Sequence, residues 1–494
     1  MNNVFMIVHE LNVNKGGMTT AMLTRSKMFH ANNVNANIVT FDYKVNYDNI
    51  IHSLMKQDKM SKNTKMFNLF QYYEKKSSSK KIKHNKKLYN LFNNFFKDTI
   101  EIKEDKKTSK FLDKTTGQYK ARKKLLDSEQ TIVDLYNNNK RYRRVHLKNE
   151  KIHRINIFNY DNKVLFETFY DRKGFPYISR NINPKNGNVG VTYLLVDKIQ
   201  FSSNLNVCSH FLREIVKDNS ENIMICDGPG SFPRMLNTSH KNAKKFAVIH
   251  VNHYKNFNTD GSKKIKEDYI INNADNIDGV IVLTDAQRKD IKEEYSVNNI
   301  YAISNFINNF EKESDFANNK IVGHISRIVA TKGVHHLIDV AELVVKEDEE
   351  VEFHIYGEGP EKDRVRKLIN KKNLNDNVKL LGYTSKPQQV INQFQCVLST
   401  SQYEGQGLSM IEAMLLQRPV IAFDINYGPN EFIKNDINGY LIPNLDIQEM
   451  ADKILELVND DDLTKKLGKE ARNTIIEKYS SEKIMDKWQV LFDK

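Results

Sequence analysis

Short apolar runs alternate with helical or polar segments at both ends of this chain, and a different rhythm separates them. "NVFMIVHEL" has the unbroken apolar character of a buried strand. The Gly-rich turn and helical spacing of "NVNKGGMTTAMLTRSKMFHANN" follow, and then a second strand, "ANIVTFDY". This order opens a doubly wound α/β domain. Near Ser77 the polar, basic stretch "KKSSSKKIKHNKK" predicts a boundary. From about Thr131 to Val196 turn signals recur roughly every eleven residues ("NNNK", "LKNE", "YDNK", "DRKG", "NPKNGN"), with "RRVHL", "KIHRINIF", "KVLFETFY", "PYISRNI" and "VTYLLV" between them. That spacing predicts an antiparallel meander inserted in the α/β domain. The α/β rhythm returns in "NIMICDGPG", "KKFAVIHVNH", "IDGVIVLTDAQ" and "IYAIS". A second round starts at "NKIVGHISRI" and runs through "VEFHIYGEGP", "NVKLLGY", "CVLSTSQ", "PVIAFDI" and "NGYLIP". The end, "SSEKIMDKWQVLF", has the spacing of an amphipathic helix that docks back across the molecule.

The expected organisation is an N-terminal α/β domain in two parts, 1–76 and 206–308. A basic, β-rich insertion spans 77–205, a second α/β domain 309–476, and a returning helix 477–494. Two parallel-sheet domains in tandem predict a cleft between the C-terminal ends of both sets of strands, where ligands bind in such folds.

Charge sharpens this picture. The chain carries a net +13, and residues 71–160 hold 24 Lys+Arg against 10 Asp+Glu, so one region accounts for the whole excess. A basic patch of this size implies a polyanionic partner: nucleic acid, an anionic membrane or another phosphate polymer. Cys208, Cys226 and Cys396 are odd in number, scattered and set among apolar residues, so they read as buried thiols and not as a disulfide frame or metal site. "MNNVFMIVHELN" lacks the features of a signal peptide, and no run of about 18 apolar residues predicts a membrane span. The cytoplasm, with peripheral contact to the inner face of the membrane, is the expected location.

Candidate chemistry gathers in the second α/β domain. "ISRIVATKG" offers Arg327 and Lys332, "YGEGP" offers Gly357 and Gly359, and "STSQYEGQGLSMIEAM" offers Glu404, Gly405, Gln406, Gly407, Leu408 and Glu412. Each loop follows a predicted strand, so all three can face one cleft. Two cations, a helix N-terminus and open glycine backbone suit a diphosphate. A carboxylate inside the helix, Glu412, can accept both hydroxyls of a ribose. Glu404 lies beyond the phosphates, where a third, hydroxyl-rich group would sit. The set describes a sugar nucleotide. The acidic run "NDDDLTKKLG" reads as a helix cap, not as the Asp-x-Asp of a metal-dependent transferase. With Arg327, Lys332 and a helix dipole, leaving-group charge needs no metal, and none is expected.

The R-x4-K loop, the "GEGP" turn and the E-x7-E motif resemble those of retaining glycosyltransferases of the GT-B architecture, family four: two Rossmann-like domains facing a cleft. Together with "MIVHELNVNKGGMT", "ICDGPGSFP", "VIHVNH" and the basic insertion, the whole chain resembles the bacterial α-glycosyltransferases that decorate poly(ribitol-phosphate) wall teichoic acid. The resemblance implies transfer of glucose or N-acetylglucosamine from a UDP-sugar to a polyol-phosphate chain. It implies that Glu412 binds the ribose, that Arg327 and Lys332 neutralise the diphosphate, and that Glu404 and the amides of Gly405 to Leu408 hold the sugar. It also implies that Tyr383 meets the uracil, that Gly17 admits the donor phosphates, and that His250 faces the transferred sugar or acceptor. Retention would proceed by front-side attack, the departing phosphate helping to deprotonate the acceptor, and the insertion would build a homotrimer. The residues alone leave open a poly(glycerol-phosphate) glucosyltransferase, a sugar-nucleotide epimerase, a phosphorylase, or a protein that binds nucleic acid or another polyanion.

Overall fold

The computed structural model describes residues 3–13, 17–79, 85–216, 221–238, 243–255, 261–306 and 319–494. The expected boundary at 308/309 lies outside them.

Two parallel sheets and one antiparallel sheet organise the chain. The first has seven strands in the order Ile300–Ala302, Gly279–Val282, Ala243–Ile249, Asn222–Cys226, Asn3–Ile7, Asn35–Thr40 and Met66–Asn68. Every pairing in it is parallel. Its central strands are buried along nearly their whole length because helices cover both faces, which is why they read as unbroken apolar runs. The second parallel sheet has six strands in the order Val378–Gly382, Glu352–Tyr356, Ile321–Ile325, Cys396–Ser399, Val420–Phe423 and Gly439–Ile442. The expected pair of doubly wound sheets is therefore present.

In each sheet the strand order reverses direction once. In the first the reversal falls between Asn3–Ile7 and Asn222–Cys226, and in the second between Ile321–Ile325 and Cys396–Ser399. Chain connections leave such a pair of neighbouring strands in opposite directions, which opens a crevice beyond their C-terminal ends.

Ten antiparallel strands, from Thr99–Lys103 to Ile199–Phe201, form the third sheet in sequential order. The predicted meander covered only its later part. Thr99–Lys103, Thr108–Asp113 and Tyr119–Leu125 also belong to it. The side chains of "TIEIK" and of most of "YKARKKL" are exposed; "TIEIK" alternates but leaves Ile100 and Ile102 about half exposed, and in "YKARKKL" charged residues take the place of the apolar alternation that marks a strand.

Side-chain caps set several helix starts. Asn68, Ser203, Thr284, Asp446, Asp460 and Ser480 each accept a backbone N–H of the first turn, worth about 1 kcal/mol apiece. Asp460 thus gives the "NDDDL" run its expected role. The helix it caps, Asp461–Tyr479, packs Ala471, Ile475 and Tyr479 in the core of the second half. After Ser480 the final helix, Ser481–Asp493, crosses to the first half. There Trp488 meets Phe29 edge-on at 5.6 Å and joins the core under Val4, Met6 and Val8. Cys208, Cys226 and Cys396 are buried free thiols. Among the described residues no helix is long and apolar enough to cross a membrane.

Candidate active site

Three of the residues singled out above follow strands that flank the two points of reversal. Gly17 follows the strand Asn3–Ile7, Arg327 follows Ile321–Ile325, and Glu404 follows Cys396–Ser399. His250 follows Ala243–Ile249, one strand further out in the first sheet.

The loop after Cys396–Ser399 carries most of the chemistry. Glu404 Oε1 accepts from Lys332 Nζ, and from Ser401 Oγ at 2.8 Å. Lys332 ends a single 3-10 turn, Ala330–Lys332, and Gln402 N donates to Thr331 O at 3.1 Å, so backbone fastens the two loops together. Sequence reasoning gave Lys332 to a diphosphate, and the fold also pairs it with Glu404. Arg327 is exposed and has no ion pair among the described residues. His324 lies behind them, its Nδ1 2.9 Å from Leu398 O and its Nε2 2.7 Å from Ser326 Oγ. Burial pushes its imidazole down to about 4, so it is neutral and structural.

The helix Leu408–Leu415 starts from Gly407 without a side-chain cap. Among the described residues the backbone N–H groups of Gly405, Gln406, Gly407 and Leu408 donate to no protein acceptor. Four open amides at a helix N-terminus form an anion site. Glu412, one turn further in, is half-buried and has no hydrogen-bond partner among the described residues. Burial pushes its carboxyl up to about 7. The Gln406 side chain turns away to the connection between the halves, where its Oε1 accepts from Asn305 N at 3.0 Å.

The turn at Gly357 serves the site from behind. A Cβ there would overlap the Ser326 carbonyl oxygen, and one at Gly359 would overlap that of Ile328. These glycines let the "GEGP" turn press against the loop that carries Arg327. Tyr383 follows the strand Val378–Gly382 and is 63% exposed. Gly17, at φ +57, leads into the helix Met18–Ala31 with open space around it.

The two halves touch across the cleft. The His250 carbonyl lies against the Cα of Gly405, so closely that a Cβ on Gly405 would overlap it. Asn252 Nδ2 donates to Asn426 O at 3.1 Å, and Tyr427 OH to Asp290 Oδ2 at 2.6 Å. Glu431 Oε1 accepts from Ala286 N at 2.9 Å, a carboxylate from one half on a helix N-terminus of the other. His250 Nε2 lies 2.8 Å from Asp227 Oδ1. The sequence reading gave Asp227 no role. Its only local sign is a carboxylate ending the buried strand "NIMIC".

Among the described residues the one group of His, Cys, Asp and Glu with metal-ligand spacing is Asp197, His210 and Glu214. It uses none of these cleft residues, and Lys76 Nζ bridges Asp197 at 2.8 Å and Glu214 at 2.7 Å.

The Glycosyl transferases group 1 family matches residues 305–474, the half that holds Arg327, Lys332, Glu404 and Glu412. Over 493 residues, all of both chains, the sequence is 55% identical to the poly(ribitol-phosphate) α-N-acetylglucosaminyltransferase of Staphylococcus aureus strain COL. The chain belongs to the poly(ribitol-phosphate) α-glycosyltransferases of bacterial wall teichoic acid. A crystal structure of a mutant of S. aureus TarM in complex with Fondaparinux, α-GlcNAc-glycerol and UDP superimposes with a TM-score of 0.93 at 54% identity, covering all of both chains. A more distant relative, the poly(glycerol-phosphate) α-glucosyltransferase of Bacillus subtilis strain 168, is 24% identical over 96% of this chain and 72% of its own. The GT-B architecture inferred from the motifs is thus that of the family, with the antiparallel sheet as its added part.

Proposed function

We propose that this chain transfers N-acetylglucosamine, with retention of the α configuration, from UDP to hydroxyls of poly(ribitol-phosphate). The observation that carries the reading is the meeting of the Glu404–Lys332 loop with His250 across the cleft, over a row of open amides. Glu412 would take the ribose hydroxyls. Arg327, Lys332 and the amides of residues 405–408 would take the diphosphate, and Tyr383 the uracil. Glu404 would hold the sugar, and its engagement by Lys332 and Ser401 suits a positioning carboxylate better than a covalent nucleophile. In a front-side reaction the bond from the anomeric carbon to phosphate oxygen breaks. A bond to the acceptor oxygen forms on the same face, and the acceptor proton passes to the departing phosphate. Arg327 and the amides stabilise the charge that develops there, which supports a reaction without metal. The test is mass spectrometry of poly(ribitol-phosphate) after incubation with UDP-N-acetylglucosamine or UDP-glucose, with and without EDTA. N-acetylhexosamine should be added at equal rates in both conditions. Activity lost to EDTA and restored by Mg²⁺ or Mn²⁺ would refute the metal-free reading, and addition of hexose alone would refute the choice of sugar.

We further propose that the antiparallel sheet assembles the chain as a homotrimer and gathers the anionic polymer. Its outermost strand, Thr99–Lys103, leaves Ile100 and Ile102 about half exposed, an edge of the kind proteins cover by pairing. Gly117, in the next turn but one, has open space around it, so a side chain there meets nothing within one chain, although its φ of +69 strains any residue but glycine locally in this exposed turn. Gly117→Arg is therefore expected to yield monomers in sedimentation velocity. These should bind UDP normally and glycosylate short acceptors, but should lose activity on long polymers because linked sites no longer raise the local concentration of chain. A monomeric wild type would end this proposal. Contact with the inner face of the membrane, through the same basic sheet, is the location this reading favours.

A further inference from the structure

Behind His250 lies a buried ion pair that none of the donor contacts uses. Asp227 is fully buried. Its Oδ1 faces His250 Nε2 at 2.8 Å and its Oδ2 accepts from Arg25 Nη2. Burial would raise this carboxyl, but Arg25 and then His250 outweigh it and hold Asp227 below the usual carboxylate range. Arg25 is itself buried. Its guanidinium lies 5.1 Å from the ring of Trp488, on the returning helix, and 3.9 Å from Met6 Sδ. Among the described residues its Nε has no partner, and Asp227 is its only ion pair.

A buried pair of this kind contributes little net stability, since apolar side chains of the same volume would fill the space as well. Its consequence here is directional. An ionised carboxylate only accepts hydrogen bonds and a guanidinium only donates them. With Arg25 on one oxygen, the other can meet His250 only as acceptor. Nε2 must then carry hydrogen, and a ring that carries a single hydrogen keeps its lone pair on Nδ1. Nδ1 has no hydrogen bond among the described residues.

We propose that Asp227, held by Arg25, is a positioning residue that fixes the Nε2–H tautomer of His250, so that Nδ1 accepts a hydrogen bond from a hydroxyl of the transferred sugar. The proposal rests on the donor-site reading above and takes the transferred sugar, of the two partners that the resemblance offers His250, as the one its ring meets.

Asparagine at 227 tests it sharply, because an amide has one accepting oxygen where the carboxylate has two. In Asp227→Asn the guanidinium of Arg25 takes that oxygen and the amide NH₂ turns to His250. The ring must then accept at Nε2 and move its hydrogen to Nδ1. The nitrogen left for the sugar becomes a donor. Nitrogen-15 spectra of histidine-labelled protein, assigned with His250→Gln, should show Nε2–H in the wild type and Nδ1–H in Asp227→Asn. The kcat should fall about tenfold to hundredfold with donor KM nearly unchanged. Replacing Arg25 as well, in the double variant Arg25→Met/Asp227→Asn, frees the amide to turn its oxygen back, and should restore both the tautomer and much of kcat. A merely structural pair would make the double variant worse than either single one. Nδ1–H in the wild type overturns the proposal, and that measurement needs no variant to fold. A folded Asp227→Asn with the wild-type tautomer and kcat overturns it equally. Wild-type kcat in His250→Gln instead removes His250 from the sugar site, and with it the donor-site reading. A loss in His250→Gln beside an unaffected Asp227→Asn overturns the positioning role alone.

Discussion

Gly405→Ala should lower kcat/KM about hundredfold while leaving the fold intact, because a displacement on the order of 1 Å between reacting groups has that effect. The position has ordinary backbone geometry, since Gly405 is not among the glycines with positive φ. Alanine is therefore not strained there. What it meets is backbone of the other half: the carbonyl of His250 and the Cα of Val251. Neither can swing aside as the end of a long side chain would. The extra methyl must separate the two halves at the point where donor and acceptor chemistry meet. UDP affinity should change far less, because Arg327, Lys332 and Glu412 all lie in one half. Calorimetry of UDP binding beside steady-state transfer separates the two effects. Transfer by Gly405→Ala at the wild-type rate would show that the contact between the halves is not part of the productive state.

The two carboxylates of the E-x7-E motif should fail in different ways when removed. Glu404→Ala should mainly lower kcat, since the proposed function gives Glu404 the reacting sugar and Lys332 and Ser401 hold its carboxylate in place. Glu412→Ala should mainly raise the donor KM. Each change removes a charged hydrogen bond of ~1.5–3 kcal/mol, hence roughly tenfold to hundredfold. Glu412 adds a signature in pH. Burial alone lifts its carboxyl to about 7 in the free protein, so below that pH it is protonated and must release the proton to accept both ribose hydroxyls. Donor affinity should therefore rise with pH up to about 7 and then level off. That dependence should vanish in Glu412→Ala. Near-normal kcat in Glu404→Ala, or a donor KM independent of pH in the wild type, would contradict these assignments.

The fold was legible wherever burial left a local trace. Strands covered on both faces need apolar residues at every position, so "NVFMIV", "NIMIC" and "GVIV" declare themselves. The helix start at Asp460 declares itself in "NDDDL", because the open amides of a first turn must find an acceptor nearby. The first three strands of the antiparallel sheet were not legible. Hydrogen bonds to neighbouring strands hold them, and their exposed positions carry charge: "YKARKKL" keeps no period of two, and the short alternation of "TIEIK" is lost in the lysine-rich stretch around it.

The candidate site divides in the same way. The amino-acid sequence determined that Arg327, Lys332, Gly357 and Glu404 follow strand ends and that Glu412 lies in the helix after one of them, because each strand and the turn after it are encoded within about a dozen residues. Which of these ends are neighbours depends on strand order, and strand order is decided by pairing between segments far apart in the chain. Only the tertiary structure put Lys332 on Glu404, 72 residues away, and packed Gly405 against His250. It also set Asp227 between Arg25 and His250, 202 and 23 residues from it. A side chain's own neighbours in sequence carry no mark of such a partner, since the contact exists only once two separate sheets, each with its own core, have closed on a common cleft.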